Sequence, residues 1–177
     1  DHEYWAFVPD GIGVFMNRTP VRRGDDTVKG AIELAETPDI EETARQYHRI
    51  DLSSIAYACT TFSFVRGLGG DTDIIQRIEK AASVPATTTS TAAVKALHSI
   101  NAKRVAVVTP YLDEINDKLK TFLEASGFEV ATMKGMQLDS DDIALVPSKE
   151  VAKYVKSVPL DGADAVFVSC TNFATVD

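Results

Sequence analysis

The chain holds two cysteines, and they stand in matching surroundings. Ile55-Ala56-Tyr57-Ala58-Cys59-Thr60-Thr61-Phe62-Ser63 and Ala165-Val166-Phe167-Val168-Ser169-Cys170-Thr171-Asn172-Phe173 share one pattern. Each is a short apolar run, a small residue, Cys-Thr, a polar residue and Phe. A thiol ionises near pH 8.5, and a helix N-terminus or a nearby donor lowers that value toward neutrality. An isolated Cys is more often a small buried hydrophobe, but two in one context read as a pair. If one thiol approaches each face of a flat substrate, one thiolate takes a proton from carbon or adds to a double bond. The other thiol delivers a proton. Such chemistry builds negative charge on a carboxylate or enolate, whose oxygens need donors already in place. Thr60, Thr61, Ser63, Thr171 and Asn172 stand at the required spots, although the same residue types also populate loop starts as ordinary turn formers.

The elements that must position these residues follow from the pattern of apolar runs. Both runs before the cysteines read as buried strands, so each Cys is expected at a strand's carboxyl end, the edge at which open α/β sheets bind ligands. Gly11-Ile12-Gly13-Val14-Phe15-Met16 reads as a strand, followed by a polar connection containing Arg22, Arg23 and Gly24. Thr27 to about Arg49 reads as helix, split at Thr37-Pro38 because Pro disfavours a helical residue before it. After the strand 54–58, a loop with Gly67, Gly69 and Gly70 leads to a helix that Asp71 or Thr72 could cap, with Ile74, Ile75 and Ile78 in its apolar stripe. Val84–Thr87 is a short strand, Ser90 or Thr91 caps a helix over Ala92–Ile100, and Arg104–Thr109 is the clearest strand of all. A helix over Leu112–Ser126 ends at Gly127. A strand Phe128–Thr132, a helix opened by Pro147 and running to Val158, and the strand carrying Cys170 complete the chain.

This alternation predicts a mostly parallel, layered α/β fold. The repeated Cys unit predicts two related lobes, residues 1–95 and 96–177, joined near 90–103 with the ligand between them. The first lobe is expected to lack its first strand and its C-terminal segment, and the second to stop after the strand bearing Cys170. Residues absent at both termini would leave apolar sheet surface uncovered unless another chain covers it or the segments exist and are disordered or omitted. The second account is favoured, and the intact protein is expected to be a homodimer or higher homo-oligomer.

Composition narrows the partners. The chain of 177 residues is 45% hydrophobic and 25% charged, with a net charge of −8, which argues against nucleic acid or an anionic membrane as partner. No apolar run approaches the roughly 20 residues of a membrane span. Two cysteines without a Cys-rich framework suggest free thiols in a reducing, cytoplasmic setting. His2, His48 and His98 show no metal-ligand spacing, so no metal site is expected. No Gly-x-Gly-x-x-Gly opens a helix after a strand, and Arg66-Gly67-Leu68-Gly69-Gly70 lacks the Lys-Ser/Thr ending of a phosphate loop. No cofactor is expected either.

Ala58–Gly67, Thr89-Ser90-Thr91-Ala92, Arg104–Asn116 with its Thr109-Pro110-Tyr111, and Val168-Ser169-Cys170 together resemble the aspartate/glutamate racemase superfamily. Within it they are most similar to the branch of maleate cis–trans isomerases, arylmalonate decarboxylases and ectoine-utilisation proteins. The resemblance implies two flavodoxin-like three-layer lobes with parallel sheets, related by a pseudo-twofold axis. It implies a cofactor-independent site between them with Cys59 and Cys170 as catalytic residues. It also makes Thr60 and Thr61 donors to a substrate carboxylate, Tyr111 a hydroxyl that binds a carboxylate, and Thr171 and Asn172 the donors after the second Cys. Decarboxylases of the branch usually carry Gly where Cys59 stands, which favours isomerisation.

The expected function is therefore a cofactor-independent isomerase of a small carboxylate or dicarboxylate, a racemase or a maleate-type cis–trans isomerase. The alternatives are an arylmalonate-type decarboxylase in which Cys170 is the proton donor, and a catalytically silent carboxylate-binding protein.

Overall fold

The structure, a computed structural model, describes residues 2–20 and 27–175. A short helix, α1 (His2–Phe7), opens it, and an irregular stretch follows to residue 20. The strand expected at 11–16 does not form. Gly11 takes a φ of 85°, and Ile12, Phe15 and Met16 are exposed with no strand paired to them among the described residues. An apolar run becomes a strand only where a neighbour takes up its N–H and C=O groups. Arg22, Arg23 and Gly24 lie outside the described residues.

Thr37-Pro38 divides the next helical segment as Pro dictates, giving α2 (Val28–Glu36) and α3 (Asp39–Arg45). Thr27 caps α2, its hydroxyl accepting from the Gly30 amide at 3.0 Å. Strand β1 (Ile55–Tyr57) leads through Cys59 into α4 (Thr60–Phe64). That turn of helix falls where the sequence reads as loop. Helix α5 (Gly70–Ala82) then starts from Gly69, whose φ of 90° turns the chain into the helix without help from Asp71 or Thr72. Arg77 on α5 reaches back to α2 and α3. It donates to both Glu41 carboxylate oxygens at 2.7 Å and to the Ala35 and Thr37 carbonyls at 2.8 and 2.6 Å. One guanidinium thus satisfies carbonyls that the end of α2 leaves open.

Strand β2 (Ala86–Thr88) pairs parallel with β1, Tyr57 beside Thr88, and passes directly into α6 (Thr89–Ser99). The cap of α6 is Thr88, whose Oγ1 accepts from the Thr91 amide at 3.1 Å, and not Ser90 or Thr91. A second sheet follows. Its strands are β3 (Arg104–Thr109), β4 (Glu129–Gly135) and β5 (Ala165–Val168), in the order β4-β3-β5 and parallel throughout. The connections are α7 (Asp113–Ala125), then α8 (Ser140–Ile143) and α9 (Ser148–Ser157). The central strand β3 is wholly buried from Val105 to Thr109, as its unbroken apolar run requires.

Helix α4 joins the two sheet regions. It packs against α2, α5, α6 and α7. Phe64 at its end is fully buried, its ring 6.0 Å from that of Tyr111 and 6.5 Å from that of Phe122. Burying Phe fully stabilises by about 1.5–3 kcal/mol. That burial sits one turn from Cys59, so core packing fixes where the thiol can be.

Candidate active site

Cys59 ends the β1 segment and is the N-cap of α4, with φ −135° and ψ 109°. Burial pushes its thiol up to about 12. The amides of Phe62 and Thr61 pull the other way, and the charge of Cys170 pushes further up. Cys170 follows β5 with a φ of 120°, a conformation that costs a residue bearing a Cβ. Its sulfur accepts from the Asn172 amide at 3.4 Å. Burial raises this thiol as well, opposed by the amides of Asn172 and Phe173 and by the Tyr111 hydroxyl. At neutral pH both cysteines are held as thiols, and three donors face Cys170 where two face Cys59.

Tyr111 stands beside Cys170. It is buried at 5% exposure, and its hydroxyl lies 3.4 Å from Ser169 Oγ, next to Cys170. Burial drives the phenol well above its ordinary range, against hydrogen bonds with the Ser169 and Thr61 side chains, and the charges of both cysteines add to the rise. The tyrosine is therefore a permanent hydroxyl donor. Its backbone is locked from both sides. Its amide donates to Thr109 Oγ1 at 3.1 Å, Thr109 Oγ1 donates to Asn116 Oδ1 at 2.6 Å, and Asn116 Nδ2 donates to the Tyr111 carbonyl at 3.1 Å. A Cβ on Gly135 would collide with that carbonyl and with Asn116 Nδ2, so β4 can approach only as glycine.

The remaining residues singled out from sequence divide by task. Thr171 donates its hydroxyl to the Ala58 carbonyl at 3.0 Å, bridging the segments before Cys59 and after Cys170. Thr61 reaches Tyr111. Thr60 is 2% exposed, and its Oγ1 is buried without a hydrogen-bond partner. Ser63 is occupied elsewhere, its hydroxyl 2.8 Å from the Thr60 carbonyl and 2.6 Å from Ser90 Oγ, where it fastens α4 to α6. Asn172 is exposed and contributes its amide to Cys170.

A cavity of about 470 Å³ lies at this edge, walled in part by Thr60, Thr89, Cys170, Thr171 and Phe173, and by Tyr4 and Phe7 of α1. Cys170 is in the wall, whereas Cys59, Thr61, Ser63, Tyr111 and Asn172 are not. No Lys, Arg or His is among the described residues that line it. Charge on a ligand there would have to be met by hydroxyls, amides and helix ends. Among the described residues no group of three or more His, Cys, Asp or Glu is placed to hold a metal ion, and no helix is long and apolar enough to cross a membrane. Sequence reading missed Thr89, Thr109, Asn116 and Ser169. The seven-residue spacing of Thr109 and Asn116 around Tyr111 was the available signal for two of them.

Comparison with known proteins fits this arrangement. A maleate isomerase of Nocardia farcinica is 29% identical over 122 residues, covering 66% of this chain and 49% of its own length. The chain thus spans about half the length of the curated relatives it matches. Among solved structures, the maleate isomerase of Pseudomonas putida S16 with maleate superposes with a TM-score of 0.77 at 19% identity, covering 84% of this chain and 62% of that one. A cysteine-to-serine mutant of the Nocardia farcinica maleate cis–trans isomerase, with a covalently bound succinylcysteine intermediate, gives 0.67 at 24% identity, covering 71% and 54%. The sequence model of arylmalonate decarboxylase matches residues 33–177, and by that match the chain belongs to the arylmalonate decarboxylase family.

Proposed function

We propose that the protein is a cofactor-independent isomerase of a small carboxylate or dicarboxylate, acting through Cys59 and Cys170 between two lobes, 1–95 and 96–177, related by a pseudo-twofold axis. The observation that carries this reading is the 3.0 Å bond from the Thr171 hydroxyl to the Ala58 carbonyl, which brings together the loops bearing the two thiols at the carboxyl ends of strands in two different sheets. A reacting carboxylate is held by the Tyr111 hydroxyl, by Thr61 and by the amides at Thr60, Thr171 and Asn172. On a cis-alkene such as maleate, the substrate named for the relatives, Cys59 adds through sulfur to one alkene carbon. Its proton passes to Cys170 as thiolate, and the alkene electron pair moves toward the held carboxylate. The carbon–carbon bond is then single and rotates, the electron pair returns from the carboxylate to re-form the double bond, and the Cys59 sulfur leaves and takes its proton back from Cys170. A racemase uses the same pair on one carbon, one thiolate removing the proton and the other thiol replacing it on the opposite face.

One observation favours a second reading. Cys170 faces the cavity while Cys59 stays out of its wall, which suits a decarboxylase in which Cys170 protonates an enediolate and Cys59 is a bystander. The deciding experiment presents the full-length protein with maleate, racemisable amino acids and arylmalonates in deuterated water. Fumarate formation, or deuterium exchange at carbon without loss of carbon dioxide, supports isomerisation. Carbon dioxide release with deuterium in the product supports the second reading. Binding with neither outcome leaves only a silent carboxylate-binding protein.

A further inference from the structure

Asp71 is a buried carboxylate that the proposed chemistry does not use, at 9% exposure in the first turn of α5. Among the described residues no Lys, Arg or His pairs with it. A charge taken out of water persists only where hydrogen bonds and dipoles meet it. Here Asp71 Oδ2 accepts from Thr91 Oγ1 in the first turn of α6. A carboxylate only accepts, so that bond gives the hydroxyls one direction. Thr88 Oγ1 donates to Thr91 Oγ1 at 3.0 Å and accepts from the Thr91 amide at 3.1 Å, which is the cap of α6. The same turn holds both segments that flank Cys59. Thr89 Oγ1 donates to the Tyr57 carbonyl at 3.3 Å. Ser90 Oγ donates to the Thr60 carbonyl at 3.3 Å and lies 2.6 Å from Ser63 Oγ. Cys59 stands between Tyr57 and Thr60 as the N-cap of α4.

We propose that Asp71 is a positioning residue for Cys59. Anchored on α5, it fixes the first turn of α6 through Thr91, and that turn holds the backbone on either side of the thiol. A hydrogen bond to an ionised group is roughly twice as strong as a neutral one, so Asp71 makes the charge-assisted link of this set. Its effect on turnover rests on the reading of Cys59 as a catalytic thiol. Its effect on the exposure of that thiol does not.

The test uses the full-length protein and two readouts. The first is the rate of Cys59 alkylation by iodoacetamide, measured in a Cys170→Ser background so that one thiol is counted. Asp71→Ala and Thr91→Val should each speed it about tenfold or more, the effect on local opening of losing a hydrogen bond to a charged group. The double variant should be no faster than the faster single one, because both remove the same bond. Asp71→Asn keeps an acceptor oxygen and should stay within about twofold of its parent. In a Cys59→Ser background the same substitutions should leave Cys170 within about twofold, since a general loss of stability exposes both thiols. The second readout is the conversion of maleate with both cysteines present. Asp71→Ala should lower kcat at least about tenfold with KM within about twofold, and Asp71→Asn should restore it. An unchanged Cys59 rate, equal acceleration of both cysteines, or an Asn variant as fast as the Ala variant would overturn the proposal. Thr91→Val decides alone if Asp71→Ala does not fold. The expected alkylation pattern with no turnover of any carboxylate would remove the isomerase and leave the anchor. Turnover that needs both cysteines, with neither readout responding to Asp71→Ala, would do the reverse.

Discussion

Thr171 donates its hydroxyl to the carbonyl of Ala58 at 3.0 Å, across 113 residues of sequence. One residue precedes the first cysteine and the other follows the second, so this single bond joins the two loops whose thiols cooperate under the proposed function. A neutral hydrogen bond contributes about 1 kcal/mol to stability, a modest amount for the fold. Its effect on chemistry should be larger, since a misplacement of about 1 Å can cost 10²-fold in rate. Thr171→Val is expected to lose roughly 1 kcal/mol in denaturant unfolding and at least about tenfold in kcat. Thr171→Ser should recover most of both. A kcat within twofold of wild type in the Val variant would show that the bridge does not set the spacing.

If both thiols act, Cys59→Ser and Cys170→Ser should each lower turnover by at least about 10²-fold, the usual share of a positioned acid or base. The double variant should be scarcely worse than either single one, because residues acting as one unit are not additive. Under decarboxylation only Cys170→Ser is severe. Kinetics on folded variants separate the cases, and full activity in Cys170→Ser would sink both enzymatic readings.

The raised thiols set two pH dependences of known sign. Cys59 is raised to about 12 from 9.0, so the folded protein keeps a proton that the unfolded chain has already lost. Its stabilising effect is full below about pH 9 and is lost as pH climbs toward 12. Tyr57 and Tyr111 are raised too and act in the same direction at higher pH. Unfolding free energies from about pH 8 to 10.5 should therefore fall, and fall less in Cys59→Ser, which keeps both tyrosines. Catalysis should run the other way. A thiolate is needed and both thiols are held protonated, so kcat/KM should rise with pH from about 6 to 9. A profile that peaks at or below neutrality would contradict thiolate chemistry.

Core packing behind the site is testable through Phe64, which ties α4 to Tyr111 and Phe122. Phe64→Ala should cost about 3–5 kcal/mol, the range for emptying a buried aromatic site. Gly135→Ala should also destabilise, because its Cβ meets backbone and an amide already committed to Tyr111. A Gly135→Ala variant with unchanged stability and unchanged carboxylate binding would mean that the Tyr111 loop gives way freely.

The alternation of elements was legible because each run carries its own period. β3 is an unbroken apolar run buried on both faces, and α5 keeps Ile74 and Ile78 in register. The placement of each cysteine just after a strand, β1 or β5, was legible because their context repeats. Residues 11–16 were misread because composition says nothing about whether a partner strand stands alongside. The cap of α6 was misplaced within Thr87-Thr88-Thr89-Ser90-Thr91, where every residue has a hydroxyl. Only the extended backbone of Thr88, with φ −119° and ψ 164°, selects the cap. The bond between Ser63 and Ser90 is a tertiary fact that local sequence does not carry. The lone hydroxyl of Thr60 was hidden for the same reason, since its neighbours come from distant segments.

The backbone of Cys170 provides a last prediction. Its φ of 120° lies where a Cβ is strained, and it occurs at the one cysteine facing the cavity. Strain of this kind costs about 1–3 kcal/mol and persists only where the surroundings hold it. Glycine relieves it, while alanine keeps the Cβ and removes only the sulfur. At an ordinary position Gly is less stable than Ala by about 0.5–1 kcal/mol, through the entropy of the unfolded chain. Here the order should invert, with Cys170→Gly more stable than Cys170→Ala by about 1 kcal/mol and both variants inactive. Urea unfolding of the two variants measures the difference directly. An alanine variant as stable as the glycine variant, or more so, would show that Cys170 is not held in a strained conformation.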